Sequence, residues 1–410
     1  MKSPWPTKKL GELIEERKEK NKNNEQLQVY AISNIFGFVP SEEFFYKKVY
    51  SASLKNYKKV YKDDFAYNPA RVNVGSIGLY ENKKKGLVSP MYIVFRIKDK
   101  NQLLPRFLFR ILKSSYFIKK IRSLAASQGS IRQILKFEDL CELQIPLPPL
   151  PIQKKIVSIL DTIQEAINIQ NKIIETTKEL KKSMMADLFK YGGPSFRKGR
   201  KLKKTEIGEI PENWEVVRLR EVCEKPQYGL STSAVEENTG IKLLRITDIQ
   251  EEKVDWRLVP FCKCAKSDFE KYKLIEGDIV VARIGATTGK TYFINTSPAS
   301  VFGSYLIRIR PKNLLGANFL RYYFQFDLYW KQINLAKGGR LKGGINIPII
   351  ENLQVPLPPL SEQREIAEIL QTIDQKIEIE QKKKELYEEL FKTMLNKIFT
   401  GEIDIEKIEI

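Results

Sequence analysis

The sequence predicts an α+β protein in which two similar mixed α/β domains are separated by two long antiparallel helices that form a coiled coil, giving an internal pseudo-two-fold. A proline-rich segment occurs twice, as Gln144-Ile-Pro-Leu-Pro-Pro-Leu150 and Gln354-Val-Pro-Leu-Pro-Pro-Leu360. Residues 153–190 and 363–400, which follow the two copies, contain neither proline nor glycine and have a helical pattern. The segment before each copy mixes strand-like and helix-like patterns in the same order.

The two long helices repeat one apolar stripe in phase. Apolar residues recur at spacings of 4, 3 and 4, which is typical of a helix that packs on another helix. A shift of 210 positions aligns the two stripes, whose members are Ile156, Leu160, Ile163 and Ile167 in the first helix and Ile366, Leu370, Ile373 and Ile377 in the second. The stripe becomes polar in its middle, and a polar patch of this kind can fix helix register. We therefore expect the two helices to be each other's partners.

The two predicted domains follow the same order of elements. In the first, Trp5 precedes a short helix, strand patterns follow up to residue 97, and helix returns from Pro105 to about Leu124. In the second, Trp214 opens the same order. Residues 277–285 correspond to the strand and glycine turn after Asp64. Few residues are identical between the globular parts, so the two domains are expected to share a fold and differ in surface.

Composition indicates a folded protein that binds a polyanion. The net charge is +20, with +15 over residues 1–140 and +6 over residues 191–204, against −5 over residues 356–410. Basic globular parts beside neutral or acidic helices are typical of a nucleic-acid-binding protein with a separate docking element. A generic basic protein is the alternative on charge alone.

Several classes of function are excluded. The chain has no histidine, so hydrolases that depend on an imidazole are ruled out. The four cysteines form no CxxC pair, and a structural zinc site or a disulfide framework is not expected. No run of about eighteen apolar residues occurs, and the lysine-rich start lacks an apolar signal core, which predicts a cytoplasmic protein with no membrane segment.

Residues 285–291, Gly-Ala-Thr-Thr-Gly-Lys-Thr, superficially match a phosphate-binding loop. That loop needs four residues between its glycines and opens a helix. Here three residues separate the glycines and a strand pattern follows. Nucleotide binding is therefore disfavoured.

Two diverged domains, each followed by the same proline run and by a long helix with Gln153 or Gln363 near its start, resemble the DNA specificity subunit of type I restriction-modification enzymes. The resemblance covers essentially the whole chain and includes the opening of the second domain at residues 205–219. It implies two target recognition domains, two spacer helices and no catalytic residues or cofactor in this chain. The boundaries expected are 1–148 for the first recognition domain, 149–190 for the first spacer helix, 191–204 for a basic Gly/Pro linker, 205–358 for the second recognition domain, 359–400 for the second spacer helix and 401–410 for a tail.

The resemblance also implies partners. These are double-stranded DNA, two modification subunits that bind S-adenosylmethionine and methylate adenine, and restriction subunits that use ATP, with Mg also expected in the partner subunits. Each domain would read one half of a bipartite, non-palindromic site. The outer helix surfaces, including Glu365 and Glu368, are the expected docking place for the modification subunits.

Candidate DNA-binding residues combine a basic, amide or hydroxyl side chain with a loop or strand-end position, because such groups contact phosphates and base edges. In the first domain they are Arg71, Asn73, Lys83, Lys84, Lys85, Gln128, Ser130, Arg132 and Gln133. In the second they are Arg245, Arg283, Thr287, Thr288, Lys290, Arg340 and Lys342.

Three other functions stay open at this point. The chain could be the specificity subunit of a two-subunit type II system that cuts on both sides of its site. It could be a nucleotide-dependent enzyme built on residues 285–291. It could also be a coiled-coil scaffold without a DNA site, although its basic globular parts argue against that.

Overall fold

The computed structural model of the chain describes residues 5–34, 37–45, 50–71, 75–126, 134–250, 252–338 and 343–408. The chain divides into two compact units, of which unit 1 comprises Met1–Lys172 and Gln381–Ile410 and unit 2 comprises Ile173–Glu380. Both long helices are divided between the units. Each unit therefore contains one globular part and a segment of each long helix.

Unit 1 mixes short strands with helices. Its strands are β1 (Thr7–Lys9), β2 (Ile14–Glu16), β3 (Val29–Ser33), β4 (Gly37–Pro40), β5 (Lys58–Val60), β6 (Phe65–Tyr67), β7 (Ile77–Leu79), β8 (Gly86–Val88), β9 (Ile93–Ile97) and β10 (Gln144–Pro146). Its helices are α1 (Leu10–Leu13), α2 (Ser41–Phe45), α3 (Pro105–Lys113), α4 (Ser115–Ala126), α5 (Phe137–Cys141) and the first part of α6 (Leu150–Tyr191). The strands form two four-stranded sheets of order β2-β9-β6-β7 and β4-β3-β8-β5, and β1 pairs with β10.

Unit 2 repeats this arrangement. Its strands are β11 (Leu202–Thr205), β12 (Gly208–Pro211), β13 (Glu215–Arg218), β14 (Gln227–Tyr228), β15 (Ala234–Val235), β16 (Lys242–Leu244), β17 (Ile249–Gln250), β18 (Lys253–Val254), β19 (Phe261–Cys262), β20 (Ile279–Ala282), β21 (Thr291–Phe293), β22 (Ser300–Phe302), β23 (Leu306–Ile309) and β24 (Gln354–Leu357). Its helices are α7 (Leu219–Val222), α8 (Lys266–Tyr272), α9 (Leu314–Tyr323), α10 (Asp327–Ala336), α11 (Ile347–Glu351) and the first part of α12 (Leu360–Thr400).

The first sheets of the two units have corresponding strand orders, β2-β9-β6-β7 and β14-β23-β20-β21. The second sheets, β4-β3-β8-β5 and β15-β19-β16-β22, each contain one parallel pair, β3 with β8 and β16 with β22. This pair is central in the sheet of unit 1 and lies at an edge of the sheet of unit 2. The predicted α+β class with two similar mixed domains and two long helices is therefore confirmed.

A buried aspartate occupies the same place in both units. Asp64 precedes β6 and accepts a hydrogen bond from the Tyr61 amide at 2.8 Å, and Asp278 precedes β20 and accepts one from the Ile275 amide at 3.0 Å. Each carboxylate also pairs with an arginine, Arg17 in unit 1 and Arg310 in unit 2. In both units, therefore, the same two contacts stabilise the turn that leads into the corresponding strand, β6 or β20.

A strand pair joins each globular part to its helix. In unit 1, Thr7 of β1 lies opposite Pro146 of β10, and in unit 2, Val216 of β13 lies opposite Pro356 of β24. The helix that follows begins directly after the proline run, because consecutive prolines cannot continue inside a helix. A buried glutamine then fixes each junction: Gln153 donates to the Pro148 carbonyl at 2.9 Å and Gln363 to the Pro358 carbonyl at 2.8 Å.

The helix segments run antiparallel within each unit. In unit 1, Lys155 near the start of α6 donates to the Glu406 carbonyl just beyond the end of α12, at 3.0 Å. Further along α6, Asp161 pairs with Arg110, whose guanidinium lies 5.4 Å from the Phe391 ring centroid. In unit 2, Lys181 of α6 pairs with Asp374 of α12 at 2.7 Å. Nearer the start of α12, the Gly193 amide just past the end of α6 donates to Glu362 at 3.0 Å.

The helix predicted from Pro105 to about Leu124 is interrupted. Ser114 has an extended backbone conformation between α3 and α4, and its hydroxyl accepts a hydrogen bond from the Phe117 amide at 3.3 Å. A serine that accepts from the third residue after it is a strong N-cap. The serine therefore ends one helix and starts the next, a role that its sequence context did not reveal.

Candidate nucleic-acid interface

The turn between β20 and β21 contains the false phosphate-loop motif. Its amides bond to its own carbonyls: Thr288 to Gly285 at 3.2 Å, Gly289 to Ala282 at 2.8 Å and Lys290 to Thr287 at 2.9 Å. The strand β21 follows at once. Because these amides are already used and no helix opens here, the turn cannot wrap a phosphate as a nucleotide-binding loop does. The nucleotide-enzyme alternative therefore loses its structural basis.

The candidate side chains on this turn differ in exposure. Lys290 is exposed and Thr287 is half-buried. Thr288 is 1% exposed and its hydroxyl donates to the Gly285 carbonyl at 2.8 Å. Thr288 therefore stabilises the turn and is removed from the candidate set, whereas Lys290 and Thr287 remain available at the surface.

The turn between β6 and β7 is the equivalent place in unit 1. Arg71 lies on this turn with an exposed side chain. Its amide donates to the Asn68 carbonyl at 3.0 Å, and its carbonyl accepts from the Ser76 amide at 3.2 Å. Arg71 and Lys290, chosen from separate stretches of sequence, thus lie on topologically equivalent turns of the two units.

A second chain segment approaches each of these turns. The Leu135 amide donates to the Pro69 carbonyl at 3.1 Å in unit 1, and the Ile345 amide donates to the Arg283 carbonyl at 2.9 Å in unit 2. Both donors closely follow the glycine loops chosen from the sequence. The candidates on those loops and on the adjoining part of the β6–β7 turn lie outside the described residues: Asn73, Gln128, Ser130, Arg132, Gln133, Arg340 and Lys342.

Two tyrosines beside the β20–β21 turn were not among the sequence candidates. The Arg283 guanidinium lies 4.7 Å from the Tyr228 ring centroid, and the Arg283 amide donates to the Tyr305 carbonyl at 3.0 Å. Tyr305 is 55% exposed and Tyr228 is 36% exposed. Tyr228 directly precedes Gly229 and Tyr305 lies two residues after Gly303, which is a weak signal of a surface turn. Surface aromatic rings next to arginine suit contact with bases or sugars.

Other basic candidates are engaged within their own units. Arg245 forms two hydrogen bonds with Asp248, at 3.1 and 2.8 Å, so its guanidinium is held along the chain. Lys85 pairs with Glu25. Lys83 and Lys84 are exposed on the turn between β7 and β8, and no ion pair is found for either among the described residues. These two lysines are better placed for phosphate contact than Arg245 or Lys85.

Two arginines of the basic link at residues 191–204 form ion pairs within unit 2. The guanidinium of Arg200 binds both carboxylate oxygens of Glu362, which is fully buried. Arg197 pairs with Asp187 at 2.5 Å. Part of the positive charge in this segment is therefore neutralised inside unit 2 and does not face a polyanion.

The helix positions assigned to the apolar stripe lie inward. Ile156 and Leu160 are fully buried in the core of unit 1 with Leu395 and Ile398. In unit 2, Ile366 and Leu370 are fully buried in a core that also contains Leu188. Ile167 is buried, and Ile163, Ile373 and Ile377 are half-buried. The polar positions Gln170 and Glu380, in the middle of the stripe, are also buried.

One helix-surface assignment needs correction. Glu365 is half-buried, and its carboxylate accepts hydrogen bonds from the Ser195 amide, at 3.2 Å, and from the Ser195 hydroxyl. It therefore holds the chain where it leaves α6 and is not a free docking residue. Glu368 is exposed.

The described residues do not form a metal or thiolate site. No group of three or more His, Cys, Asp or Glu side chains within the described ranges could hold a metal ion. Burial raises the pKa of Cys223 to about 12 and that of Cys262 to about 11, so both thiols are protonated at neutral pH. Within the same ranges, no helix is long and apolar enough to cross a membrane.

The repeated architecture matches one protein family. The type I restriction modification DNA specificity domain matches residues 2–179 and again residues 211–389. The chain belongs to this family. Each match covers one globular part and most of the long helix that follows it, so the duplicated element of the sequence is the family's domain.

Relatives within the specificity family span most of the chain. The type I restriction enzyme MjaVIII specificity subunit of Methanocaldococcus jannaschii is 31% identical over 345 residues, which is 82% of this chain and 78% of the relative. The EcoKI specificity subunit of Escherichia coli is 24% identical over 279 residues, 63% of this chain and 56% of the relative. Members of the family confer specificity and are the non-catalytic subunits of their systems.

Solved structures support the fold. A chain from a structure on complex assembly and conformational transition of the type I R-M system has a TM-score of 0.59 at 20% identity, covering 98% of this chain and 100% of that one. The type I restriction-modification S subunit from M. genitalium has a TM-score of 0.57 at 15% identity, covering 97% and 96%. The chain is a type I restriction-modification specificity subunit by family and by fold.

Proposed function

We propose that this specificity subunit reads a bipartite, non-palindromic DNA site, with one globular part binding each half-site. The observation that carries the proposal is the duplication: one chain contains the specificity domain twice, with the same strand order in the first sheet of each unit and different surface residues. Two similar but unequal readers in one chain suit a site with two different halves.

The long helices would set the gap between the half-sites. The helix Leu150–Tyr191 has 42 residues and Leu360–Thr400 has 41. At 1.5 Å per residue each is roughly 60 Å long, comparable with about 17 base pairs at roughly 3.4 Å each. A rigid helix pair would leave the bases between the half-sites unread, so the spacer would be unspecified in sequence and fixed in length.

Within each globular part, the equivalent strand turns would face DNA. Arg71 on the β6–β7 turn and Lys290 on the β20–β21 turn are exposed basic residues at corresponding places. Arginine can donate two hydrogen bonds to a guanine edge, whereas lysine contacts guanine or phosphate as a compact charge. Arg283, stacked on Tyr228, would support the second turn.

The chemistry would lie in partner subunits. Two modification subunits would bind S-adenosylmethionine and methylate adenine, and restriction subunits would use ATP and Mg to translocate DNA. This chain would supply no cofactor site of its own. Its contribution would be the choice of sequence.

One substitution in each globular part tests whether each part reads a different half-site. Arg71→Ala and Lys290→Ala are introduced separately into the complete chain, which is assembled with its modification subunits. Binding is then measured on duplexes altered in one half-site at a time. We expect each substitution to relax discrimination in a different half, by about 1–3 kcal/mol for a base contact. If both substitutions affected the same half, or each affected both halves equally, the assignment of one reader to each half would be wrong.

A further inference from the structure

Unit 1 contains a groove of about 390 Å³ between α4, the β1–β10 strand pair and the end of α12. Phe117, Leu395 and Phe399, all nearly fully buried, form its apolar floor. Its rim is polar and carries Lys119, Gln144 and other exposed residues. The groove thus combines an apolar interior with hydrogen-bonding groups at its mouth, as peptide-binding grooves do.

Unit 2 has a β-hairpin at the corresponding place. The hairpin consists of β11 and β12 and packs on the surrounding unit. Glu206 accepts a hydrogen bond from the Gln354 side chain at 2.5 Å, and Glu209 pairs with Lys190 at 3.2 Å. Gly208, between them, faces the side chain of Leu328. A Cβ atom at position 208 would lie 3.5 Å from the Cδ2 atom of Leu328.

The residues that contact this hairpin correspond to residues that line the groove of unit 1. Gln354 begins β24 as Gln144 begins β10, and Leu328 is the second residue of α10 as Tyr116 is of α4. Lys190 precedes the end of α6 and aligns with Thr400 under the shift of 210. Gln144, Tyr116 and Thr400 all line the groove. The same face is therefore covered by a hairpin in unit 2 and, among the residues that the structure describes, forms a groove in unit 1.

The hairpin of unit 2 shows what chemistry fits this face. Ile207 is 7% exposed, and Ile210 is fully buried in a core that contains Phe189 and Tyr329. Phe189 corresponds to Phe399 in unit 1 and Tyr329 corresponds to Phe117, and both of these rings belong to the groove floor. Ile210 thus belongs to the same core as these aromatic residues, Ile207 three positions before it is buried, and acidic side chains meet the polar rim.

The rim of unit 1 keeps part of this complementarity, because Gln144 matches Gln354 whereas Thr400 occupies the place of Lys190, which pairs with Glu209 in unit 2. No hydrogen bond of the Gln144 side chain is found among the described residues, although its counterpart Gln354 binds a glutamate of the hairpin. The Lys120 ammonium lies 4.7 Å from the Tyr116 ring centroid at the groove wall, and Lys119 is exposed beside it. An acidic residue near Gln144 would therefore meet an amide donor and two cations, while the carboxylate of Glu402, which also lines the groove, accepts a hydrogen bond from the Thr400 hydroxyl at 2.8 Å.

We propose that the groove of unit 1 binds a β-hairpin from another protein chain, with two aliphatic residues three positions apart and an acidic residue facing Gln144. The hairpin would occupy the place that β11 and β12 occupy in unit 2. That the other chain is a subunit of the same complex rests on the proposed function, whereas the groove and its chemistry rest on the internal repeat.

A backbone-cyclised, fluorescein-labelled peptide with the sequence of residues 202–211 is the probe. Cyclisation is needed because an isolated hairpin is at best marginally stable in water. Fluorescence anisotropy measures its binding to the complete chain. The control peptide carries Ile207→Asp and Ile210→Asp. In the protein, Asn396→Trp places a large side chain in the groove from an exposed helix position, and Glu389→Trp makes the same change about 10 Å away on the same helix.

We expect saturable binding to the wild type and to Glu389→Trp. Binding should weaken at least about tenfold with Asn396→Trp or with the aspartate peptide, because each removes a buried apolar contact. Thermal unfolding of both variants shows that they are folded. The proposal is overturned if the probe fails to saturate below about 1 mM, the weak end of specific affinity, or binds Asn396→Trp as well as wild type.

Analytical sedimentation of the chain alone tests whether the groove binds a second copy of this chain instead of another protein. A concentration-dependent dimer that Asn396→Trp abolishes would show that the groove binds a second copy, and the choice of another protein would be wrong. A monomer that binds the probe supports the proposal. Because no DNA is present in either measurement, failure of half-site reading and failure of hairpin binding would be distinguishable.

Discussion

Glu362 is a fully buried carboxylate that joins three parts of unit 2. Its side chain is fully buried at the start of α12, and its carboxylate accepts hydrogen bonds from three places: the Arg200 guanidinium, the Gly193 amide at 3.0 Å and the Trp214 indole at 3.0 Å. The cluster joins the chain leaving α6, the start of the second globular part and the second long helix. Replacing Glu362 by alanine leaves Arg200, whose side chain is only 9% exposed, without its counter-charge.

The expected cost follows from that burial. Removing one partner of a buried ion pair destabilises a protein by about 3–5 kcal/mol, because the remaining charge is left desolvated. With an m value of about 3 kcal/mol/M, the urea midpoint of unit 2 should fall by about 1–1.7 M. Tryptophan fluorescence reports on this unit, since Trp214, Trp256 and Trp330 are three of the four tryptophans in the chain.

Two variants make the measurement specific. Glu209→Ala removes an ion pair whose partners are both over 40% exposed, and surface pairs of this kind contribute about 1 kcal/mol or less. Arg200→Met combined with Glu362→Gln removes both charges but leaves a side-chain oxygen to accept from the Gly193 amide or the Trp214 indole, so it should recover part of the lost stability. If Glu362→Ala lowered the midpoint no further than Glu209→Ala, the buried cluster would not hold unit 2 together.

Three further predictions concern other positions. Gln153→Met should destabilise unit 1 by about 1–3 kcal/mol in urea titrations, and Gln363→Met should destabilise unit 2 by less. The reason is that the Gln153 side-chain oxygen accepts from the Leu104 amide, whereas that of Gln363 is buried with no hydrogen-bond partner among the described residues; equal costs would contradict this. Burial, together with the Arg110 charge, lowers the pKa of Lys113 from 10.5 to about 8. Between these two pH values the unfolded chain binds more protons than the folded chain, so the wild type should gain stability relative to Lys113→Met as the pH rises from 8 to 10.5. A difference in urea midpoint that does not change with pH would refute this prediction. Arg245→Ala should change half-site binding less than Lys290→Ala in filter-binding assays, since Asp248 already holds the Arg245 guanidinium; an equal or larger loss would return Arg245 to the DNA surface.

The repeat was predictable from sequence because its signals are local. The proline run excludes helix wherever it occurs, and the 4, 3, 4 spacing of Ile156, Leu160, Ile163 and Ile167 defines one face of a helix without reference to the rest of the chain. Both signals occur twice in phase. The mixed domains could be predicted only by class, because strands of two to five residues leave little pattern to distinguish a strand from a turn.

The buried ion pairs could not be predicted. Glu362 has the sequence context of a surface residue in a helix, and its partner Arg200 lies 162 positions away in a stretch that is rich in lysine and arginine. The same limit applies to Glu365, which binds Ser195. A charge count treats all basic residues of the link as available, whereas folding uses some of them inside unit 2.

The candidate interface was predictable by residue type and loop position, but not by exposure. Arg71 and Lys290 lie on equivalent turns, which the match between the two strand patterns suggested. Thr288 has the same residue type and loop position as Thr287, yet its hydroxyl donates a hydrogen bond within the turn. The stacking of Arg283 on Tyr228 joins residues 55 positions apart and required the folded sheet to be seen.

Sequencing of methylated bases in a host that carries this chain with its modification subunits tests the central claim most directly. We expect methylated adenines in a motif of two different specified halves separated by a gap of fixed length and unspecified sequence. Loss of Lys290 should relax one half and leave the other half and the gap unchanged. A single uninterrupted methylated motif, or two halves at variable spacing, would contradict the assignment of two readers held apart by the long helices.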